Sequence, residues 1–153
     1  MKTYLDKNVY EAALERIAYC FQEFDNVLVA FSGGKDSGVL LNLCYNYADE
    51  HGLLDKLTMY HLDYEAQYQM TTEYVTRTFL EQFPGIRKMW YCVPIKAQSA
   101  CALGEPYWTP WDAAKKKLWV RAMPENPYVV HEGNLDVPFR HGMVDYEFQD
   151  KLS

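Results

Sequence analysis

The densest chemistry in the chain lies in Ser32, Gly33, Gly34, Lys35, Asp36 and Ser37, within the stretch VLVAFSGGKDSGVLLNL (27–43). An apolar run ends at Phe31 and apolar residues return at helical spacing from about Ser37, so the loop joins a buried strand to a helix. Such a turn leaves backbone N–H groups aimed at one spot, and the helix N-terminus adds partial positive charge there. Gly33 and Gly34 permit positive φ and close approach of an anion to the backbone. Ser32 and Ser37 offer hydroxyl donors, and Lys35 supplies a full positive charge. The combination predicts a phosphate or sulfate cradle with Lys35 and Asp36 as candidate catalytic residues. A carboxylate beside a phosphate is repelled unless something intervenes. Asp36 therefore either helps hold Mg²⁺ that bridges to phosphate oxygens or caps the following helix. The loop follows neither GxxxxGK[ST] nor GxGxxG.

Holding that loop requires a sheet. Residues 8–24 predict an amphipathic helix, with Tyr10, Ala13, Leu14, Ile17, Ala18, Phe21 and Phe24 on one face and Asn8/Glu11 as a capping box. The segment NVLVAFS, apolar on both faces, predicts a central parallel strand. A helix over 37–48 turns Val39, Leu40, Leu43, Cys44 and Tyr47 inward. A second strand fits 56–63. A third helix over about 67–83 carries Met70, Tyr74, Val75, Phe79, Leu80 and Phe83, with Pro84-Gly85 at its end. A third strand fits 87–95. Strands alternating with helices predict a single α/β domain over 1–153 with a parallel sheet, and ligands of such sheets bind at the carboxyl ends of the strands.

Beyond Pro94 the pattern weakens. The stretch PYWTPWDAAKKKLWVRAMPENP holds four of the seven prolines and three of the four tryptophans. Residues 96–124 read as an aromatic and basic substrate-side segment, with a short helix from Asp112 and a strand around 118–122. Lys115, Lys116 and Lys117 suit a solvated face. Arg121, set between apolar residues in LWVRAM, either pairs with a carboxylate or grips an anionic ligand. Residues 125–153 have no clear period and read as an irregular tail.

Net charge is −6, with 16% aromatic residues. That balance argues against a broad nucleic-acid surface, and the aromatic share suits a flat ligand, a core, or a homo-oligomer or other protein interface. No run approaches membrane-spanning length and the first twenty residues lack a signal-type apolar region, which predicts a cytoplasmic protein with no membrane partner. The cysteines at 20, 44, 92 and 101 include no CxxC pair, and the histidines at 51, 61, 131 and 141 have no zinc spacing. Neither an iron–sulfur cluster nor zinc is expected.

SGGKDS after a strand resembles the PP-loop of the adenine nucleotide α-hydrolase-like superfamily, which includes ATP pyrophosphatases and phosphoadenosine phosphosulfate (PAPS) reductases. HLDYEAQYQMTTEYV (61–75) and EPYWTPWDAAKKKLWVRAMP (105–124) resemble PAPS reductase-like proteins of the immunoglobulin-binding-regulator A type, over roughly residues 8–124. Members are usually longer, so the chain resembles their N-terminal part or a compact version. The resemblance implies a three-layer, Rossmann-like domain with helices on both faces of the sheet. It implies that Ser32, Gly33, Gly34, Lys35, Asp36 and Ser37 bind the phosphate or sulfate end of ATP or PAPS, with Mg²⁺ at Asp36 if ATP is the ligand. Adenine would then lie near Ala30, Phe31 and Ser32 and near Leu62–Tyr64, with Asp63 and Arg121 also at the nucleotide. PAPS reductases carry a thiol on a C-terminal cysteine motif that this sequence lacks; Cys101 in SACALGEP is the one cysteine read as exposed, and it is not expected to be catalytic. Adenylyl transfer with release of pyrophosphate is therefore the expected chemistry if the chain is an enzyme. The alternative is a nucleotide-binding regulatory or assembly module without turnover. RNA thiolation, a third use of PP-loops, fits poorly with the acidic charge.

Overall fold

The structure is a computed structural model that describes residues 6–99 and 103–152. Helix α1 (Val9–Glu23) starts where the sequence places it. The Asn8 side chain accepts from the Glu11 N–H at 2.9 Å, and the Glu11 carboxylate accepts from the Asn8 N–H at 2.9 Å. Two otherwise orphaned N–H groups at the helix start are thereby satisfied reciprocally. Only Ile17 and Phe21 of its predicted apolar face are fully buried, while Tyr10 and Phe24 stay exposed.

Strand β1 (Val27–Ala30) leads through the glycine loop into α2 (Lys35–His51), then β2 (Leu57–Leu62), α3 (Gln69–Glu81) and β3 (Arg87–Cys92). Two short strands, β4 (Ala97–Gln98) and β5 (Tyr107–Trp108), pair antiparallel outside the main sheet. A 3₁₀ turn at Ala113–Leu118 follows, capped by Asp112 as the sequence suggests. Strand β6 (Val129–His131) and the short helix α4 (Asp145–Gln149) complete the chain. The fold is α/β: a four-stranded parallel sheet in the order β1-β2-β3-β6, flanked by helices.

Several sequence-based expectations are corrected. β1 is an edge strand of this sheet, because both crossovers step the same way and β6 then adds beside β3. Residues 118–122 form no strand; the chain bends at Val120 and Arg121 instead, since the backbone there is drawn to a buried carboxylate described below. The tail is not irregular throughout: β6 joins the sheet and α4 packs beneath it. On α2 the buried stripe is Gly38, Leu41, Cys44 and Ala48, leaving Val39 and Leu40 exposed. The stripe includes the small residues at 38 and 48, with Gly38 beside Tyr74 of α3, which an apolar-only reading of VLLNL misses.

Alternate residues of the strands face two cores. One face, with Val29, Phe31, Leu57, Met59, Trp90 and Cys92, is covered by residues of α1, α2 and α3. The other, with Met89, Tyr91, Val93 and Ile95, is covered by Phe148 of α4 and by the apolar residues of 135–152. Among the described residues, no helix is long and apolar enough to cross a membrane.

Candidate functional site

The glycine loop sits at the carboxyl end of β1. Its two serine hydroxyls are turned inward. Ser37 Oγ donates to the Gly34 carbonyl (2.9 Å), leaving its lone pairs to the Ser32 N–H (3.2 Å) and to Ser32 Oγ (3.0 Å). Ser32 Oγ in turn accepts from the Gly34 N–H at 3.3 Å. The serines therefore fix the shape of the loop rather than presenting donors outward, the role their types suggest. Gly34 is the N-cap of α2 and supplies no side-chain cap, and among the described residues no side chain accepts from the N–H groups of Lys35, Asp36 and Ser37. Asp36 lies inside the first turn and does not cap the helix. Lys35 and Asp36 are both exposed, and neither forms an ion pair with another described residue. Gly33 has φ +80°, and its bare Cα faces Val75 and Thr71 of α3.

Next to the loop, Ala30, Phe31, Ser32, Tyr60, Leu62, Tyr64 and Gln149 line a groove of about 110 Å³. The strand ends singled out for adenine make up most of its wall; Tyr60 and Gln149 carry no signal in the sequence. The size suits one planar group rather than a whole nucleotide, since complete small-molecule pockets run about 300–1,000 Å³.

Asp63 and Arg121 come together, but neither lines that groove. Asp63 is wholly buried, and Arg121 Nη2 donates to both its oxygens at 2.6 and 2.7 Å. Trp90 Nε1 (2.7 Å), the Glu65 N–H (2.8 Å) and the more distant Cys92 thiol (3.9 Å) complete the carboxylate's shell. Of the two roles read for Arg121, the structure realises the carboxylate pair. Glu65, which no motif singles out, is equally central. At φ +65°, its buried carboxylate accepts from the backbone N–H groups of Trp111 and Val120, both at 2.9 Å, and its carbonyl accepts from Arg121 Nε at 3.0 Å. Trp111 Nε1 donates to the Asp63 carbonyl at 2.7 Å. Two acidic residues at the end of β2 thus hold the 111–121 segment over the sheet. The signal for this is the HLDYE spacing itself, which puts carboxylates at alternate positions just past a strand.

That segment also walls two adjoining hollows, one of about 430 Å³ at the carboxyl ends of β3 and β6 and one of about 550 Å³ along residues 122–127 and β6; Trp119, Met123 and His131 line both. Lys116 sits over the Trp119 ring at 5.6 Å, while Lys117 is exposed. His61 is buried with Nδ1 against the Phe31 carbonyl at 2.7 Å. Burial lowers its pKa, which keeps it neutral beneath the loop.

For Mg²⁺, Asp36 meets the minimal requirement, because this ion is commonly carried by one or two carboxylates plus phosphate oxygens and water. Among the described residues no group of three His, Cys, Asp or Glu side chains could hold a metal on its own.

The thiols are poorly placed for chemistry. Burial pushes Cys44 up to about 11, with the nearby Cys20 adding to the shift. Cys92 is raised further by burial and by the Asp63 charge. Cys101 lies outside the described residues. Thiolate is the reactive form, so Cys44 and Cys92 should label with a disulfide reagent at pH 8 on the order of a hundredfold more slowly in the native protein than in urea. Peptide mass spectrometry would check this; equal rates at Cys92 would contradict its burial.

No protein-family model matches the chain. Over 124 residues it is 33% identical to a protein of Escherichia coli (strain K12) named Uncharacterized protein YbdN. That stretch takes in 80% of this chain and 29% of the relative, so the chain spans well under half of that protein's length.

Proposed function

We propose that the chain binds an adenine nucleotide, ATP or PAPS, through the Ser32–Ser37 loop, as a PP-loop protein of the PAPS reductase-like kind. The observation that carries this reading is the pairing of an uncapped helix start, bearing Lys35, with a base-sized groove at the end of the same strand. An anionic tail on the first-turn N–H groups and a base in the groove are two ends of one ligand. On this reading the fold is a three-layer adenine nucleotide α-hydrolase-like domain.

With ATP, the supported chemistry is adenylyl transfer. An acceptor forms a bond to the α-phosphorus, the α–β bridging P–O bond breaks, and its electron pair leaves on pyrophosphate. The Lys35–Ser37 N–H groups and the Lys35 ammonium stabilise that developing charge. Asp36 would hold Mg²⁺, which would supply charge neutralisation for the leaving pyrophosphate. The hollows beside Trp119 and His131 suit the acceptor, in keeping with a substrate-side role for 96–124. Sulfonucleotide reduction would need a thiol from elsewhere.

Calorimetry with ATP–Mg²⁺, ATP without metal, and PAPS, beside Lys35→Ala, tests the reading. Binding is expected to weaken at least about tenfold in the variant, since Lys35 contributes a charge-assisted contact. Failure of wild type to bind any of the three would sink the proposal. Binding without pyrophosphate release on adding candidate acceptors favours the non-catalytic regulatory module.

A further inference from the structure

The tail has no period in the sequence, yet α4 reaches the wall of the groove. Phe148 drives this placement: it is fully buried, edge-on to Tyr91 at 5.2 Å and to Phe139 at 5.8 Å. Two further bonds tie α4 to the end of β2. Tyr60 Oη donates to Gln149 Oε1 at 3.3 Å, and Tyr64 Oη donates to Asp145 Oδ2 at 3.1 Å. Burial raises the pKa of both phenols, so they remain donors at neutral pH.

Among the groove's polar groups one residue stands apart. The Phe31 N–H donates to the Tyr60 carbonyl, and the Phe31 carbonyl accepts from His61. Ser32 is engaged within the loop, and the hydroxyls of Tyr60 and Tyr64 are spent on α4. Leu62 and the Ala30 methyl are apolar. Of the lining side chains, the half-buried Gln149 amide is the one that keeps free donors: its Nε2 is unpartnered among the described residues, and one Oε1 lone pair is free.

We propose that Gln149 reads the base, selecting a 6-amino purine over a 6-oxo purine. The inference rests on the nucleotide reading above. A glutamine amide matches adenine bidentately: Nε2 donates to a ring nitrogen while Oε1 accepts from the exocyclic amino group. In hypoxanthine or guanine an oxygen replaces that amino group and faces Oε1, acceptor against acceptor. Tyr60 orients the amide by holding the other Oε1 lone pair, so it is a positioning residue.

The test is calorimetric titration of wild type, Gln149→Met, Gln149→Glu and Tyr60→Phe with Mg²⁺ salts of ATP, ITP and GTP. ATP and ITP differ in the 6-substituent and the N1 proton, without the guanine 2-amino group. Wild type is expected to prefer ATP over ITP by about ten- to a hundredfold. Gln149→Met should reduce that ratio to within about threefold by weakening ATP, with ITP little changed. Gln149→Glu should weaken ATP and improve GTP relative to it, because a carboxylate only accepts. If Gln149→Met loses its cooperative melt, Tyr60→Phe carries the test through a several-fold drop in the same ratio. Lys35-dependent binding with an unaltered ATP:ITP ratio in these variants overturns the role of Gln149 alone. Absence of binding in wild type to these nucleotides and to PAPS overturns the nucleotide reading, and this inference with it.

Discussion

Replacing Asp63 by Ala is expected to lower the unfolding free energy by about 3–5 kcal/mol, enough to threaten folding of a domain this size. Asp63 is fully buried, and each of its oxygens is matched to donors: Arg121 Nη2 and the Glu65 N–H on one, Arg121 Nη2 and Trp90 Nε1 on the other. Removing the carboxylate leaves a largely buried guanidinium without its counter-charge. It also leaves two other N–H donors with nothing to bond, and the penalty is that of unpaired groups rather than of one lost contact. Asp63→Asn should also be harmful, by about 1–3 kcal/mol, because its amide must turn NH₂ toward a donor that now meets no oxygen.

A double substitution separates pairing from bulk. Asp63→Leu with Arg121→Met removes both charges together, and buried pairs replaced as a unit often cost little. Urea denaturation should therefore place the double variant well above Asp63→Ala in stability. If Asp63→Ala and the double variant fall equally, the loss comes from Trp90 and the Glu65 turn, not from the ion pair. The same measurement informs the site, because Arg121 Nε also holds the Glu65 carbonyl and the guanidinium sits 4.8 Å from the Trp111 ring centroid. Losing Arg121's anchor should loosen the 111–121 segment that walls the larger hollows.

Local chemistry is legible where a few neighbouring residues decide it. The capping box at Asn8 and Glu11, the strand at 27–30 and the glycine loop each depend on contacts within a handful of positions. Asp63 and Arg121 both stand out in the sequence, but they lie 58 positions apart, and nothing in either local pattern says they meet. Glu65 carries only the signal of a second carboxylate two positions after Asp63, and its role shows once its carboxylate is seen accepting from Trp111 and Val120. β6 and α4 escape for another reason. A three-residue strand and a five-residue helix do not complete enough of a period to be seen, and both exist because the sheet edge and the Phe148 pocket stabilise them. Gln149 inherits that invisibility. Conversely, the apolar run at 27–31 promises a strand covered on both sides, and its edge position is set by the direction of the crossovers, which sequence periodicity does not encode.

Gly33→Ala is expected to cost about 2–5 kcal/mol, from two independent terms: left-handed backbone strain and overpacking. At φ +80° the backbone lies in the left-handed region, where a Cβ costs about 1–2 kcal/mol. The added methyl would also fall 2.8 Å from Val75 Cγ2 and 2.9 Å from Thr71 Cγ2. Both neighbours are β-branched and helical, so neither can rotate away easily, and overpacking of this kind typically adds about 1–3 kcal/mol. Gly34 provides the control. It sits at φ −85° in extended backbone, and a methyl there would meet only Ser32 Oγ, at 3.3 Å. Ala at that position should cost about 0.5–1 kcal/mol as a poorer N-cap. Thermal or urea unfolding of the two variants decides the matter without any ligand. A gap of at least about 1 kcal/mol places the strain at Gly33, since that is the lower bound of the left-handed term alone. Equal losses would mean that the loop does not lean on α3 at Val75. Adding Val75→Ala to Gly33→Ala then apportions the two terms: relief of the collision should recover part of the loss against the cavity it opens, while the φ strain persists.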